Sequence, residues 1–345
     1  LLACSLLFSC KNNTPSIDTR LESYSRLTSP ANNSAVKLND SIRVALQVTK
    51  QDAQMDSSKI YFENSPVITL RGSASYSFLP SVSRTGLRKI SVMTFFKDGK
   101  TETLESTVKI LSDAAPPALK YSVVKTYPHS KDDFTEGLEY YKGYVYESTG
   151  LEGKSLIKKY DLISGEIVKE IPLDKQYFGE GITIFDNKIF QLTWKDKKGF
   201  VYNLDDFKLM QNFSYNTEGW GMTNNGKELI MSDGSNKIYF MNPNSFAITD
   251  KLEVYDNAGA ITKINELEYD KGSIYANVWQ TFLVIKIDAA TGKDLARMDL
   301  EDLIHKAGNL REIDVLNGIT INPATGNLLV TGKLWNKIFE IKSTE

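Results

Sequence analysis

Histidine and cysteine are almost missing from this chain. Its 345 residues hold two histidines, His129 and His305, and two cysteines, Cys4 and Cys10. So few imidazoles exclude a histidine-rich catalytic zinc site. Both cysteines lie within the first ten residues, so the remainder of the chain carries no disulfide. An excess of one charge is missing too: 41 basic residues stand against 43 acidic ones, and no basic block stands out. Nucleic acid is therefore not an expected partner. The one apolar run at the start is too short to span a membrane as a helix. What is present is the composition of an ordinary globular protein, 41% hydrophobic and 24% charged. The length admits two domains, or one large all-β unit.

The opening LLACSLLFSC is followed by the polar run KNNTPS. This is the make-up of the end of a signal peptide whose beginning precedes residue 1. Leu7-Phe8-Ser9-Cys10 resembles a bacterial lipobox, in which the cysteine is lipidated and becomes the mature N-terminus. The expectation is a signal remnant over 1–10 and membrane attachment through a lipid on Cys10. The product would be an exported bacterial lipoprotein, periplasmic or anchored at the outer membrane. A plain secretory segment with an incidental cysteine is the alternative. Residues 11–26 are polar and read as a tether.

From residue 27 to 112 the text changes to short alternating runs: SIRVALQV (41–48), KIYFENS (59–65), YSFLPS (76–81), RKISVMTFF (88–96) and ESTVKIL (105–111). Alternation of period two, broken by turn residues, predicts a small Ig-like β-sandwich. It contains no titratable cluster and is expected to act as a spacer or interaction module. DAAPPALK (113–120) marks a stiff linker, since paired prolines favour an extended chain.

A repeat begins at Tyr121. Five segments start alike: FTEGLEY (134–140), FGEGITI (178–184), TEGWGMT (217–223), INELEYD (264–270) and LNGITIN (316–322). A second strand follows each, and then a hairpin such as SLIKKYDLISGEIVKEI (155–171). One unit is four antiparallel strands repeating every 38–52 residues, the period of a propeller blade. The expected architecture is all-β: a five-bladed β-propeller over 121–345, preceded by the sandwich. The fifth unit stops after NKIFEIKS, so YSVVKTYPH (121–129) is expected to supply its fourth strand.

In such a blade, the start of the first strand and the end of the second share one face. That face would carry Phe134, Glu136, Phe178, Glu180, Glu218, Trp220, Asn265 and Asn317, with Thr193-Trp194, Ser232-Asp233, Trp279-Gln280 and Lys333-Leu334-Trp335. All four tryptophans are placed near one mouth. Singly, a Trp here is blade packing and a Glu or Asn is a solvated rim group. Together they make an aromatic pocket with a few convergent polar groups, the usual form of a ligand site.

FTEGL, FGEGIT with LTW, GWGM with SDGS, NELEY with NVWQ, and LNGI with TGKLW resemble the plant-type glutaminyl cyclases. The resemblance spans about residues 121–342 and leaves the N-terminal domain outside. It implies a five-bladed propeller that cyclises the N-terminal glutaminyl residue of peptides to pyroglutamate, with ammonia released. It implies no cofactor for catalysis; the channel leaves room for a structural ion. By the same resemblance Glu180 is the acid/base, Asn265 polarises the γ-carbonyl and Lys333 lies near the reacting amide. Phe134, Phe178, Trp194, Trp220 and Trp279 form the walls. The family's first motif is usually Phe-Thr-Gln-Gly, whereas Glu136 stands here; its role is left between amine binding and tuning of Glu180. Peptides or proteins with N-terminal Gln are the expected partners, and a monomer is expected.

Two other classes fit parts of the pattern. A calcium-dependent lactonase-like propeller would hold its metal with Glu180, Asn265, Asn317 and Asp233. A non-catalytic propeller would bind peptide or glycan on the Trp-lined face.

Overall fold

The computed structural model describes residues 23–344. Cys10, the lipobox and most of the tether lie outside the described residues. Among the described residues the structure is all-β, with one short helix.

The N-terminal part builds two sheets. One has three strands, in the order Ser25–Ser29, Ile42–Val48, Ser75–Phe78. The other has five, in the order Ser34–Lys37, Thr101–Leu111, Gly86–Phe96, Met55–Phe62, Ser65–Arg71. Alternation directs Ile42, Val44 and Leu46 inward, against Ile60, Ile90, Val92, Val108 and Ile110. Three strands carry no such clear pattern and were not expected: Ser25–Ser29, Ser34–Lys37 and Ser65–Arg71. The first of these takes Ser25 and Arg26 out of the tether. Ser25 is buried because the Glu102 carboxylate accepts from its N–H at 2.9 Å and its hydroxyl at 2.7 Å.

Five four-stranded antiparallel sheets follow. Their innermost strands are Thr135–Tyr141, Gly179–Phe185, Met222–Asn224, Ile264–Asp270 and Leu316–Asn322. These strands are neighbours in cyclic order, and the fifth returns to the first. Apolar side chains fill the space between successive sheets. Tyr146 and Ile157 of the first meet Ile182 and Ile189 of the second; Ile230 and Ile238 of the third meet Leu267 and Ile274 of the fourth. The outermost strand of the fifth sheet is Lys120–Pro128, paired with Lys337–Thr344 through partners such as Tyr127 and Ile338. The sheet that completes the ring is thus made from both ends of the repeat.

The glycines of the repeat have a steric cause. A Cβ on Gly137 would lie 2.6 Å from the Ile182 nitrogen, and one on Gly181 2.4 Å from the Met222 nitrogen. Both are backbone of the next inner strand, which cannot retreat. In the fourth sheet Glu266 occupies this column. Its carboxyl is fully buried and accepts from the N–H groups of Leu138 at 3.1 Å and Ile319 at 2.8 Å.

The linker is stitched down rather than free: Leu119 N–H donates to Arg297 O at 2.7 Å, and Arg297 N–H to Pro117 O at 3.0 Å. The sandwich touches the ring through Arg84–Asp250 at 2.7 Å and Thr85 Oγ1 donating to Glu253 O at 2.6 Å. The unexpected helix, Glu301–Ala307, packs Leu303 and Ala307 beneath the fifth sheet. Two buried residues in seven leave too little periodicity for a sequence pattern to show.

Candidate active site

Each inner strand that has Glu or Asn as its second residue breaks register there. Pairing jumps from Gly179–Thr193 to Ile182–Gln191, from Ile264–Val278 to Leu267–Ala276, and from Leu316–Gly332 to Ile319–Val330. The first strand shifts likewise between Thr135 and Gly137. One extra residue on one strand of a pair is a β-bulge, which bends the strand and re-aims a side chain. The bulges carry Glu136, Glu180, Asn265 and Asn317.

At this end of the ring lies a cavity of about 410 Å³. Its wall brings together Phe134, Glu136, Phe178, Glu180, Trp194, Trp220, Asn265, Trp279 and Lys333, which are all the catalytic and substrate-binding candidates named from sequence. Gln280, which the sequence placed on this face with Trp279, also lines it, as do Leu151, Asp314 and Val315, which were not foreseen. Leu151 comes just after Gly150 at the end of the second strand Tyr144–Thr149, a signal that was there to use. Asp314 and Val315 sit in a connector without periodicity.

The polar groups are buried: Glu136 is 2% exposed, Asn265 3%, Glu180 5% and Lys333 6%. Lys333 Nζ donates to Glu136 Oε1 at 2.6 Å and stands 4.4 Å from the Phe134 ring centre. Asn317 Nδ2 donates to Glu136 Oε2 at 3.3 Å and to Thr135 O at 3.0 Å. Burial lifts the Glu136 carboxyl to about 7, against the pull of Lys333. Glu180 is lifted well above the carboxylate range, first by burial and then by the charge of Glu136. The two carboxyl groups in one cavity have different surroundings: Glu136 faces a lysine, whereas burial and the charge of Glu136 both favour the protonated form of Glu180. Asn265 Oδ1 is buried without a partner, while its backbone carbonyl is fixed by Ser232 Oγ at 2.6 Å.

The aromatic walls are interlocked. Phe134 meets Phe178 edge-on at 6.3 Å, Phe178 meets Trp194 at 5.6 Å, and Trp220 meets Trp279 edge-on at 5.5 Å. Glu218 Oε2 accepts from both the Trp194 indole, at 2.8 Å, and the Trp220 indole, at 3.0 Å. Sequence reading placed Glu218 on this face without a role; its carboxylate pins two walls.

Trp335 corrects the expectation of four tryptophans at one mouth. Leu334 has a φ of 63°, which turns the chain so that Lys333 faces the cavity and Trp335 re-enters the core. The indole is fully buried beside Phe339 and donates to Asp314 O at 2.9 Å. Asp233 also lies off the cavity, accepting from Tyr239 at 2.9 Å. The four oxygen ligands of a lactonase-like calcium site are therefore not assembled.

Residues 95–343 match the family model described as glutamine cyclotransferase. The chain belongs to the glutamine cyclotransferase family. The match begins within the strand Gly86–Phe96 of the N-terminal part and takes in the whole ring. The glutaminyl-peptide cyclotransferase of Arabidopsis thaliana is 40% identical over 225 residues, 64% of this chain and 70% of that protein. The solved structure of Myxococcus xanthus glutaminyl cyclase superposes with a TM-score of 0.61 at 32% identity, over 66% of this chain and 98% of that one. Most of the N-terminal sheets lies ahead of the residues that the family model matches.

Proposed function

We propose that this cyclotransferase acts on peptides with an N-terminal glutaminyl residue, closing it to pyroglutamate and releasing ammonia. The observation that carries this is a buried carboxyl, Glu180, sharing one aromatic cavity with Asn265 and Lys333 in a chain of this family. In the reaction the neutral α-amine attacks its own γ-carbonyl carbon, and a C–N bond forms as the carbonyl oxygen becomes an oxyanion. The bond to the amide nitrogen then breaks, the carbonyl reforms, and the leaving nitrogen takes a proton to depart as ammonia. The attacking amine loses one proton and the leaving group gains one, so a single carboxyl can complete the cycle.

Glu180 donates the proton to the leaving nitrogen and recovers one from the amine. The Asn265 amide donates to the developing oxyanion, where a donor in a dry site counts most. Lys333, anchored on Glu136, sets the field at the reacting amide. Trp194, Trp220, Trp279 and the two phenylalanines hold the glutaminyl chain folded on itself, which replaces a costly loss of entropy at the transition state. No metal is required in this scheme, and an ion in the channel would be structural.

The same reading takes the ring as a five-bladed β-propeller over 121–345 and the N-terminal sheets as an Ig-like spacer domain. Supporting it are the cyclic order of the inner strands and the two facing sheets. Leu7-Phe8-Ser9-Cys10 supports an exported lipoprotein attached through Cys10. The test is direct. Protein beginning after Cys10 should release ammonia from a Gln-initiated peptide at the same rate with and without excess chelator. No release, or loss on chelation that added metal restores, contradicts the proposal.

A further inference from the structure

A second buried charged cluster lies at the seam between the first and fifth sheets, behind the cavity wall. His129 follows the outermost strand of the fifth sheet. Its Nδ1 is 2.6 Å from the Trp335 carbonyl oxygen, and its Nε2 is 3.1 and 3.2 Å from the two oxygens of Glu147. A backbone carbonyl and an ionised carboxylate only accept, so with Glu147 ionised both ring nitrogens carry protons and the ring is an imidazolium. Glu147 also accepts from Thr135 Oγ1 at 2.7 Å and from the Tyr160 hydroxyl at 2.9 Å. Beside them Lys158 pairs with Asp133. Two cations balance two anions, and the His129 and Glu147 side chains are wholly shielded from solvent.

His129, Asp133 and Glu147 have donor atoms close enough to share one ion. A dication there would have to displace the imidazolium proton and the Lys158 ammonium, both already satisfied. The arrangement serves something else. His129, Glu147 and Asp133 each bond to a residue on one of the two segments that carry Glu136 and Lys333. Trp335, held by its carbonyl, closes the loop that carries Lys333. Thr135 immediately precedes Glu136. The Asp133 carbonyl accepts from Leu334 N–H at 2.7 Å, and Leu334 is held at a φ of 63° that a leucine adopts only under constraint.

We propose that the His129–Glu147 ion pair is a positioning device for the reaction. It clamps loop 332–336 onto the strand start at 133–136, so that the Lys333 ammonium and the Glu136 carboxylate meet inside the cavity. His129 and Glu147 touch no substrate; they act through Thr135 and Trp335. The kinetic consequence rests on the proposed cyclisation, whereas the clamp itself does not.

The test is the double variant His129→Gln/Glu147→Gln, which removes both charges and leaves no buried ion unpaired. Its kcat should fall by about 10–100-fold, the scale of a misplacement near 1 Å at a reacting centre. KM should barely move, because Trp194, Trp220 and Trp279 stand on other sheets. A crystal structure of the variant should show Lys333 Nζ out of hydrogen-bond reach of Glu136. Tyr127→Phe is the control: it removes a 2.7 Å bond to Glu340 in the same sheet and should lower stability without changing kcat. Should the double variant not fold, Thr135→Val cuts one arm of the clamp, leaves the ion pair intact, and should lower kcat with KM unchanged. The proposal is overturned if the folded variant keeps both wild-type kcat and the Lys333–Glu136 contact. It is equally overturned if activity falls only with the folded fraction, as in Tyr127→Phe. If the wild type cyclises no Gln-peptide, the functional reading fails, and the Lys333–Glu136 distance in the variant still judges the clamp.

Discussion

Asn265 and Glu136 are the residues whose replacement separates the roles most cleanly. Asn265→Ala should cost on the order of 10²–10³ in kcat, the usual loss of one oxyanion donor; steady-state kinetics on a Gln-peptide checks it. Glu136→Gln tests the electrostatics. The negative charge of Glu136 helps to hold the proton on Glu180, while Lys333 opposes it. With Glu136 neutral and Lys333 unpaired, the Glu180 carboxyl must lose its proton at lower pH. The alkaline limb of the kcat–pH profile should therefore move toward acid; a limb that stays in place or moves toward base refutes the assignment. At this scale the sequence was informative because Glu-Gly, Asn-Glu and Asn-Gly recur at one place in the repeat. It was silent about Glu218, whose role depends on two indoles from different sheets converging on one carboxylate.

The inner strands show what a repeat does and does not encode. The column of glycines predicts close strand approach, and Gly181→Ala should bear that out. Its new Cβ would sit 2.4 Å from the Met222 nitrogen and 2.6 Å from the Trp220 carbonyl oxygen, both backbone. Overpacking of this kind costs about 1–3 kcal/mol, which denaturant unfolding would measure; no change would mean that the strands can separate. The strand order was legible because apolar alternation and turn residues recur with each unit. The bulges were not, since register depends on the partner strand and the local text does not name it. Ser25–Ser29 was missed because its buried Ser25 is satisfied by Glu102, a partner 77 residues away. Trp335 was misplaced by treating the residues after Lys333 as one exposed rim, whereas Leu334 reverses the chain between them.

Across the whole molecule, buried carboxyls set the response to pH. Glu139, lifted to about 8, and Glu266 and Glu268, lifted well above the usual carboxylate range, line the inside of the ring; burial is the main cause in each. Glu136 and Glu180 add to this set at the cavity. A carboxyl with a raised folded pKa binds its proton more tightly than the unfolded chain does. Its contribution is complete below the ordinary carboxylate pKa and is lost as pH rises through the folded value. His129, also raised, has the same sign. Tm should therefore fall between about pH 5 and pH 8, and Glu139→Gln should flatten that slope. A Tm that climbs over this range would show that these groups are ionised in the fold. The central claim is that this cavity cyclises glutaminyl peptides through the Glu180 proton. The most direct measurement is the rate of ammonia release from one Gln-initiated peptide by the wild type and by Glu180→Gln. The account predicts turnover by the wild type and a kcat lower by ~10²–10⁴ in the variant, with KM nearly unchanged. Equal rates in the two proteins would contradict it.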